Sequence, residues 1–150
     1  MDNFESTLNT VLIETFNHIL KYEEVSLKKV LDVPVTIAEA HMVEAIGSQE
    51  HKEATVSKIA TLLGIAMPTA TIAVKKLEKK GFIKKASSEK DGRCSIISLT
   101  DMGRRIEKIH HLFHEKMVRN ISNQFLSNEK ETLLSAMEKL NDFFKERVEA

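Results

Sequence analysis

The alternation of apolar and polar positions describes a chain of helices interrupted once by a short stretch of period two. Over residues 3–28, Phe4, Leu8, Val11, Leu12, Phe16, Ile19 and Leu20 recur at helical spacing. That stripe is broad for a lone surface helix and implies burial against a partner. Asp32-Val33-Pro34 ends it, because the residue before a proline disfavours helical backbone. Thr36, with Glu39 at the fourth place, has the form of a capping box and opens a second helix. That helix is expected to reach about Ile46 and stop at Gly47, followed by a polar loop from Ser48 to Ala54.

Thr55 then caps a short third helix with Ile59, Ala60, Leu62 and Leu63 as its apolar face, closed by Gly64. After Ile65-Ala66-Met67, Pro68 takes the first-turn position of a fourth helix. Ala70, Val74 and Leu77 face inward at i, i+4 and i+7, and Gly81 closes it. Phe82 to Lys85 and Ser95 to Leu99 are strand candidates, joined by the turn-rich tip SSEKDG. Thr100-Asp101 caps a long fifth helix with the stripe Ile106, Ile109, Phe113 and Met117. Ser127 is expected to cap the last, with Leu133, Met137, Leu140, Phe144 and Val148 on one face. The pattern is mainly α with a small β-hairpin wing. Helix, Gly turn and helix followed by a hairpin, from Thr55 to Thr100, form the outline of a winged helix-turn-helix.

The formal net charge of zero would argue against nucleic acid, but it hides an asymmetry. Residues 1–50 carry 3 Lys+Arg against 9 Asp+Glu, residues 51–120 carry 15 against 7, and residues 121–150 carry 4 against 6. A basic middle between acidic ends is a local electrostatic footprint. From Lys75 to Arg93 there are 8 basic and 3 acidic residues, including Lys79, Lys80, Lys84 and Lys85. The second helix of the motif would enter a major groove with Met67, Pro68, Thr69, Thr71 and Ile72 toward base edges. Thr can hydrogen-bond a base or pack its methyl on thymine, and Ile72 offers apolar contact alone. Lys75, Lys76 and Lys90 suit phosphate, whose neutralisation drives salt-sensitive affinity. Arg93, on a narrow hairpin, suits a minor groove, with Asp91 two residues before it placed to hold the guanidinium.

Other classes find less support. There is no nucleophile-elbow Ser, phosphate-binding Gly loop or cofactor fingerprint, so the chain is not read as an enzyme. A helical adaptor would not require the segregated charge. The single Cys94 excludes an intramolecular disulfide, and no stretch approaches the ~20 apolar residues of a membrane span. The start, MDNFESTLNT, lacks the basic beginning of a signal peptide, and we expect a cytoplasmic protein.

LEKKGFI, SSEKDGR and SIISLTDMG resemble the recognition-helix end, wing and following helix start of the MarR family of bacterial transcription regulators. Leu77, Gly81, Asp91, Arg93, Leu99, Thr100 and Gly103 match its pattern. Ile72, where many members are polar or basic, and Ala66, where a capping Ser or Thr is common, depart from it. The resemblance implies a homodimer on a palindromic double-stranded DNA operator, built as one domain over 1–150. Residues 1–30 and 120–150 would be intertwined dimerisation helices, 36–100 the DNA-binding lobe and 100–120 a connecting helix.

Two narrower resemblances compete. FNHIL..EEVSL, EAHMVEAIG and HHLFHEKMV are similar to the branch that represses fatty-acid synthesis genes and answers to acyl groups on their carrier protein. This implies an apolar effector pocket involving Phe16, Leu20, His41, Met42, His110 and Phe113, with Ile19, Ile46 and Met117 as further candidates. The alternative is the zinc-responsive branch. His110 and His114 are four apart on one helix, His41 lies on the second, and Glu23 or Glu24 ends the first. A site of Glu24, His41, His110 and His114 would suit Zn2+. His18 and His111 read as surface residues and His51 as loop.

Overall fold

A computed structural model describes residues 1–49, 54–87 and 95–149. Six helices and one hairpin follow in the order α1 (Asn3–Val30), α2 (Ile37–Gln49), α3 (Val56–Leu63), α4 (Met67–Lys79), β1 (Ile83–Ser87), β2 (Ser95–Leu99), α5 (Asp101–Ser122) and α6 (Ser127–Val148). The tip of the hairpin, with Lys90, Asp91, Arg93 and Cys94, lies outside the described residues, as does His51. The chain divides into two compact units, Met1–Phe113 and His114–Ala150.

The first unit holds the core. Leu27 of α1, Val43 and Ile46 of α2, Ile59 of α3, Val74 and Leu77 of α4, Ile97 and Leu99 of β2, and Ile106 of α5 are almost wholly buried together. β1 and β2 pair antiparallel with Ile83 opposite Leu99 and Lys85 opposite Ile97. The Ile97 N–H also donates to the Ala54 carbonyl at 2.8 Å, which ties the entry of α3 to the hairpin. Thr55 caps α3 as expected, its hydroxyl accepting from the Lys58 N–H at 3.3 Å. Gly64 at φ 65° and Gly81 at φ 79° both take left-handed backbone. The following N–H groups turn back, Ile65 to Ala60 and Phe82 to Leu77, each at 3.0 Å. These two closures set the angle of the helix-turn-helix and aim the hairpin.

Several boundaries differ from expectation, some for local and some for tertiary reasons. α1 continues to Val30, with Leu31 closing the last turn on Leu27 at 2.9 Å. α2 does not stop at Gly47 but runs through it to Gln49. The Glu107 side chain of α5 occupies the space a Cβ on Gly47 would need, so this glycine serves close approach rather than termination. The capping box at the start of α2 is half formed. Thr36 accepts from the Glu39 N–H at 3.1 Å, but the Glu39 carboxylate is drawn away to Lys80. β1 begins at Ile83 rather than Phe82 and extends to Ser87, and the Phe82 carbonyl accepts from the Thr100 N–H at 3.1 Å. Thr100 caps α5, its hydroxyl accepting from the Gly103 N–H at 3.2 Å. Ser127 is the first residue of α6 rather than its cap. Leu126 holds the cap position, and its N–H donates to Glu129 at 2.7 Å.

The terminal helices leave large apolar side chains uncovered. On α1, Phe4 is 72% and Phe16 64% exposed, and on α6 Met137, Phe144 and Val148 are exposed too. On either helix, large apolar side chains left uncovered in this way are the mark of a partner-binding face. Among the described residues no single helix is long and apolar enough to cross a membrane.

Candidate nucleic-acid interface and buried histidine cluster

α4 is built to present one face. Its cap position is Ala66, which makes no side-chain hydrogen bond, and Pro68 in the first turn supplies the fixed φ instead. Ala70, Val74 and Leu77 lock the helix into the core. The opposite side exposes Met67, Pro68, Thr69, Ile72, Lys75 and Lys76, and Thr71 is half-buried at its edge. Ile72, 69% exposed beside lysines, is a large aliphatic side chain with nothing in the unit to cover it. The structure thus gathers Pro68, Thr69, Thr71, Ile72, Lys75 and Lys76 on one helix, while Lys90, Asp91 and Arg93 of the same expected interface lie outside the described residues.

The basic cluster is smaller than its lysine count. Lys80 Nζ donates to both oxygens of Glu39, at 2.7 and 2.8 Å, and to the Pro34 carbonyl at 3.4 Å. It also stands 5.9 Å from the centre of the Phe82 ring. Lys85 pairs with Glu78 at 3.7 Å. These two ammoniums hold the motif together and contribute little outward field. Lys76 lies 3.8 Å from Glu39 but keeps most of its surface. Glu39 was legible only as a cap, because nothing in its local sequence announces a partner 41 positions away.

A second group of charges lies inside the unit. Glu23 of α1 and His110 of α5 are almost completely buried and hydrogen-bonded through Glu23 Oε1 and His110 Nε2. His41 Nε2 of α2 approaches the same oxygen at 3.1 Å. Glu44 Oε2 lies 2.7 Å from His110 Nδ1, so both nitrogens of that ring face carboxylates. Burial pushes the Glu23 carboxyl up, but hydrogen bonds from His110 and His41, and their charge, outweigh it and hold the group below the usual carboxylate range. One candidate ligand atom from each of Glu23, His41 and His110 lies within 4.8 Å of the others. The carboxylate that meets the histidines is Glu23, where Glu24 was expected. Glu24 points to the surface, where Lys28 and Lys21 approach it at 2.7 and 3.5 Å. The signal was present, since Glu23 falls between Leu20 and Leu27 on the apolar stripe of α1 and Glu24 falls beside it. His114 belongs to the second unit, and the described cluster has three side chains.

His41 and Met42 line a cleft of about 400 Å³ between α2, α3 and α4, whereas Phe16, Leu20, His110 and Phe113 are not among its walls. Phe16 and Leu20 lie on the exposed stripe of α1, and Phe113 packs on Tyr22 with ring centres 5.2 Å apart.

A three-helix lobe closed by two glycine turns, presenting a helix over a hairpin, defines a winged helix-turn-helix protein. Residues 36–95 match the model of the MarR family. Over 95% of this chain and 98% of the other, the fold superposes on Streptococcus pneumoniae FabT in complex with DNA, with a TM-score of 0.87 and 30% identity. Among curated relatives, YwaE of Bacillus subtilis, an uncharacterized HTH-type transcriptional regulator, is 42% identical over 59 residues, 39% of this chain and 34% of its own. The transcriptional regulator AdcR of Streptococcus pneumoniae is 26% identical over 105 residues, 68% of this chain and 70% of its own. The chain thus spans about a third of the length of the first of these relatives and over two thirds of the second. The chain belongs to the MarR family of winged helix-turn-helix transcription regulators, which are DNA-binding proteins and not enzymes.

Proposed function

We propose that the chain represses genes of lipid or fatty-acid synthesis by binding a palindromic operator as a homodimer, with an affinity that a ligand modulates. The observation that carries the DNA part is the exposed face of α4, where Thr69, Ile72, Lys75 and Lys76 stand over the buried Ala70, Val74 and Leu77. Two copies pair through the uncovered apolar faces of the terminal helices. Each offers Pro68 to Lys76 to a major groove and Lys90 to Arg93 to the adjacent minor groove. The lipid part rests on the resemblance of the FNHIL, EAHMVEAIG and HHLFHEKMV segments to the fatty-acid repressor branch. The test is selection of binding sites from random duplexes, followed by anisotropy titrations across salt. An enriched palindrome, with a log–log salt slope that falls by about one unit in Arg93→Ala, supports the reading. Recovery of no common sequence by the full-length protein would reject it.

A second reading, the zinc-responsive regulator, is favoured by one arrangement. Glu23, His41 and His110 converge as an O,N,N donor set, and the Glu44 carboxylate beside His110 Nδ1 is the outer partner that orients a ligating imidazole. The donor set fits Zn2+, which would polarise the cluster and draw α1, α2 and α5 together. Metal analysis of wild type and Glu23→Gln, with operator binding measured before and after chelation, separates the readings. No retained metal and unchanged DNA binding would remove zinc.

A further inference from the structure

Ile72 is the most exposed large apolar side chain of α4, at 69% against 47% for Met67. Its place on the helix is specific. Ala70, Val74 and Leu77 form the buried line of α4. At about 100° per residue, Ile72 falls almost diametrically opposite that line. Pro68 precedes it by one turn on the same outer side, and Lys75 and Lys76 follow one turn later. The same geometry sets these two lysines on either side of Ile72, so an aliphatic group stands at the centre of the outer face with a cation on each flank.

A helix lying along a major groove meets the base edges with the middle of its face and the two phosphate walls with its sides. Flexible, charged side chains suit the walls, and Lys75 and Lys76 stand in those positions. The centre belongs to a short, branched side chain with no hydrogen-bonding group. Against the N7, O6 or N4 groups of other bases, Ile72 would strip water from a donor or acceptor and return nothing, which is costly. The C5-methyl of thymine is the one apolar group that the base pairs present in that groove.

We infer, on the proposed entry of α4 into the major groove, that Ile72 reads the C5-methyl group of one thymine in each operator half-site. It is a specificity-determining residue that selects for a methyl and against the polar edges of the other bases. Two consequences follow from the chemistry. Specificity at this position depends on a single carbon, so deoxyuridine, which pairs like thymine but lacks the methyl, is a poor substitute. The contact involves no charge, so it adds nothing to the salt dependence set by the lysines.

The experiment is anisotropy titration of the full chain on the selected operator, with each symmetry-related pair of thymines replaced in turn by deoxyuridine. One pair is expected to matter. There the wild type should lose about fourfold per half-site, on the order of tenfold for both, the value of one buried methyl each. Ile72→Ala should lose less than about twofold at the same pair, and Ile72→Val should keep most of the discrimination. Replacing that thymine by cytosine should weaken binding, and 5-methylcytosine should restore part of it in the wild type alone. Ile72→Lys should erase the difference between thymine and deoxyuridine and steepen the salt slope by about one unit. An alternating A·T duplex and its A·U counterpart give the same comparison without a selected operator, with Ile72→Ala as the control for altered duplex shape. Indifference of the wild type to every deoxyuridine replacement would overturn the inference. So would an equal loss in Ile72→Ala, which would assign the methyl contact to another side chain. Either result with intact operator binding leaves the regulator reading standing, whereas absence of binding to every duplex rejects both.

Discussion

Lys80 Nζ sits between the two carboxylate oxygens of Glu39, at 2.7 and 2.8 Å, and joins the C-terminal end of α4 to the first turn of α2. A lysine that would otherwise be assigned to phosphate is thereby an internal brace. Glu39 is 8% exposed, so its charge depends on this partner.

Lys80→Met should therefore lower stability by about 1.5–3 kcal/mol, the usual loss for a hydrogen-bonded charge, measured by urea unfolding. The salt slope of operator binding should stay near the wild-type value. Lys75→Met, on the exposed face of α4, should show the converse: stability within about 0.5 kcal/mol and a salt slope lower by about one unit. Equal effects of the two substitutions on the slope would show that Lys80 also reaches DNA.

Two glycines packed against neighbours should respond differently to alanine. At Gly103 a Cβ would collide with the Phe82 carbonyl oxygen, which is main chain and already accepts from the Thr100 N–H. Gly103→Ala should cost about 1–3 kcal/mol. At Gly47 the obstruction is the end of the Glu107 side chain, which can swing aside. There the helical gain of alanine, about 1 kcal/mol, offsets the displacement, and Gly47→Ala should be near neutral. Thermal unfolding of the pair distinguishes backbone from side-chain contact directly.

The Glu23 carboxyl is held below its ordinary range by His110 and His41. A depressed folded value means that its stabilisation is fully present above the unfolded value of about 4.3 and is lost as pH falls through the lower folded value. The stability difference between wild type and Glu23→Gln should thus be largest above about pH 4.3 and shrink on acidification. Urea midpoints measured from neutral pH downward give the test. A constant difference at every pH would mean that Glu23 acts through shape alone.

Ile72 should discriminate among sequences without contributing to salt dependence. Ile72→Ala is expected to weaken binding to the selected operator more than to an unrelated duplex, with the slope unchanged. A uniform loss on both duplexes would place this side chain away from the base edges.

Much of the fold was legible because it depends on local periodicity and on turn chemistry. The i, i+4, i+7 spacing of Ala70, Val74 and Leu77 assigns the buried side of α4, and Gly64 and Gly81 mark the two left-handed closures. Thr55 and Thr100 were identifiable as caps because capping joins residues three apart. Boundaries failed where a distant side chain intervened. Gly47 resembles a stop, and only the tertiary structure shows α2 running through it with the Glu107 side chain packed alongside.

The candidate sites divide along the same line. The chain by itself determined the helix-turn-helix, its basic character and the residues on the outer face of α4, because helical geometry fixes which side chains share a side. Tertiary structure alone decided which charges face outward and which carboxylate meets the histidines. Glu39 met Lys80 and Glu23 met His110 across 41 and 87 positions, and Coulomb attraction inside a protein is set by separation in space. Two of the expected effector residues part for the same reason. Phe16 and Met42 are equally apolar in the sequence, but packing leaves one on an uncovered helix face and sets the other in the wall of a cleft beside α4.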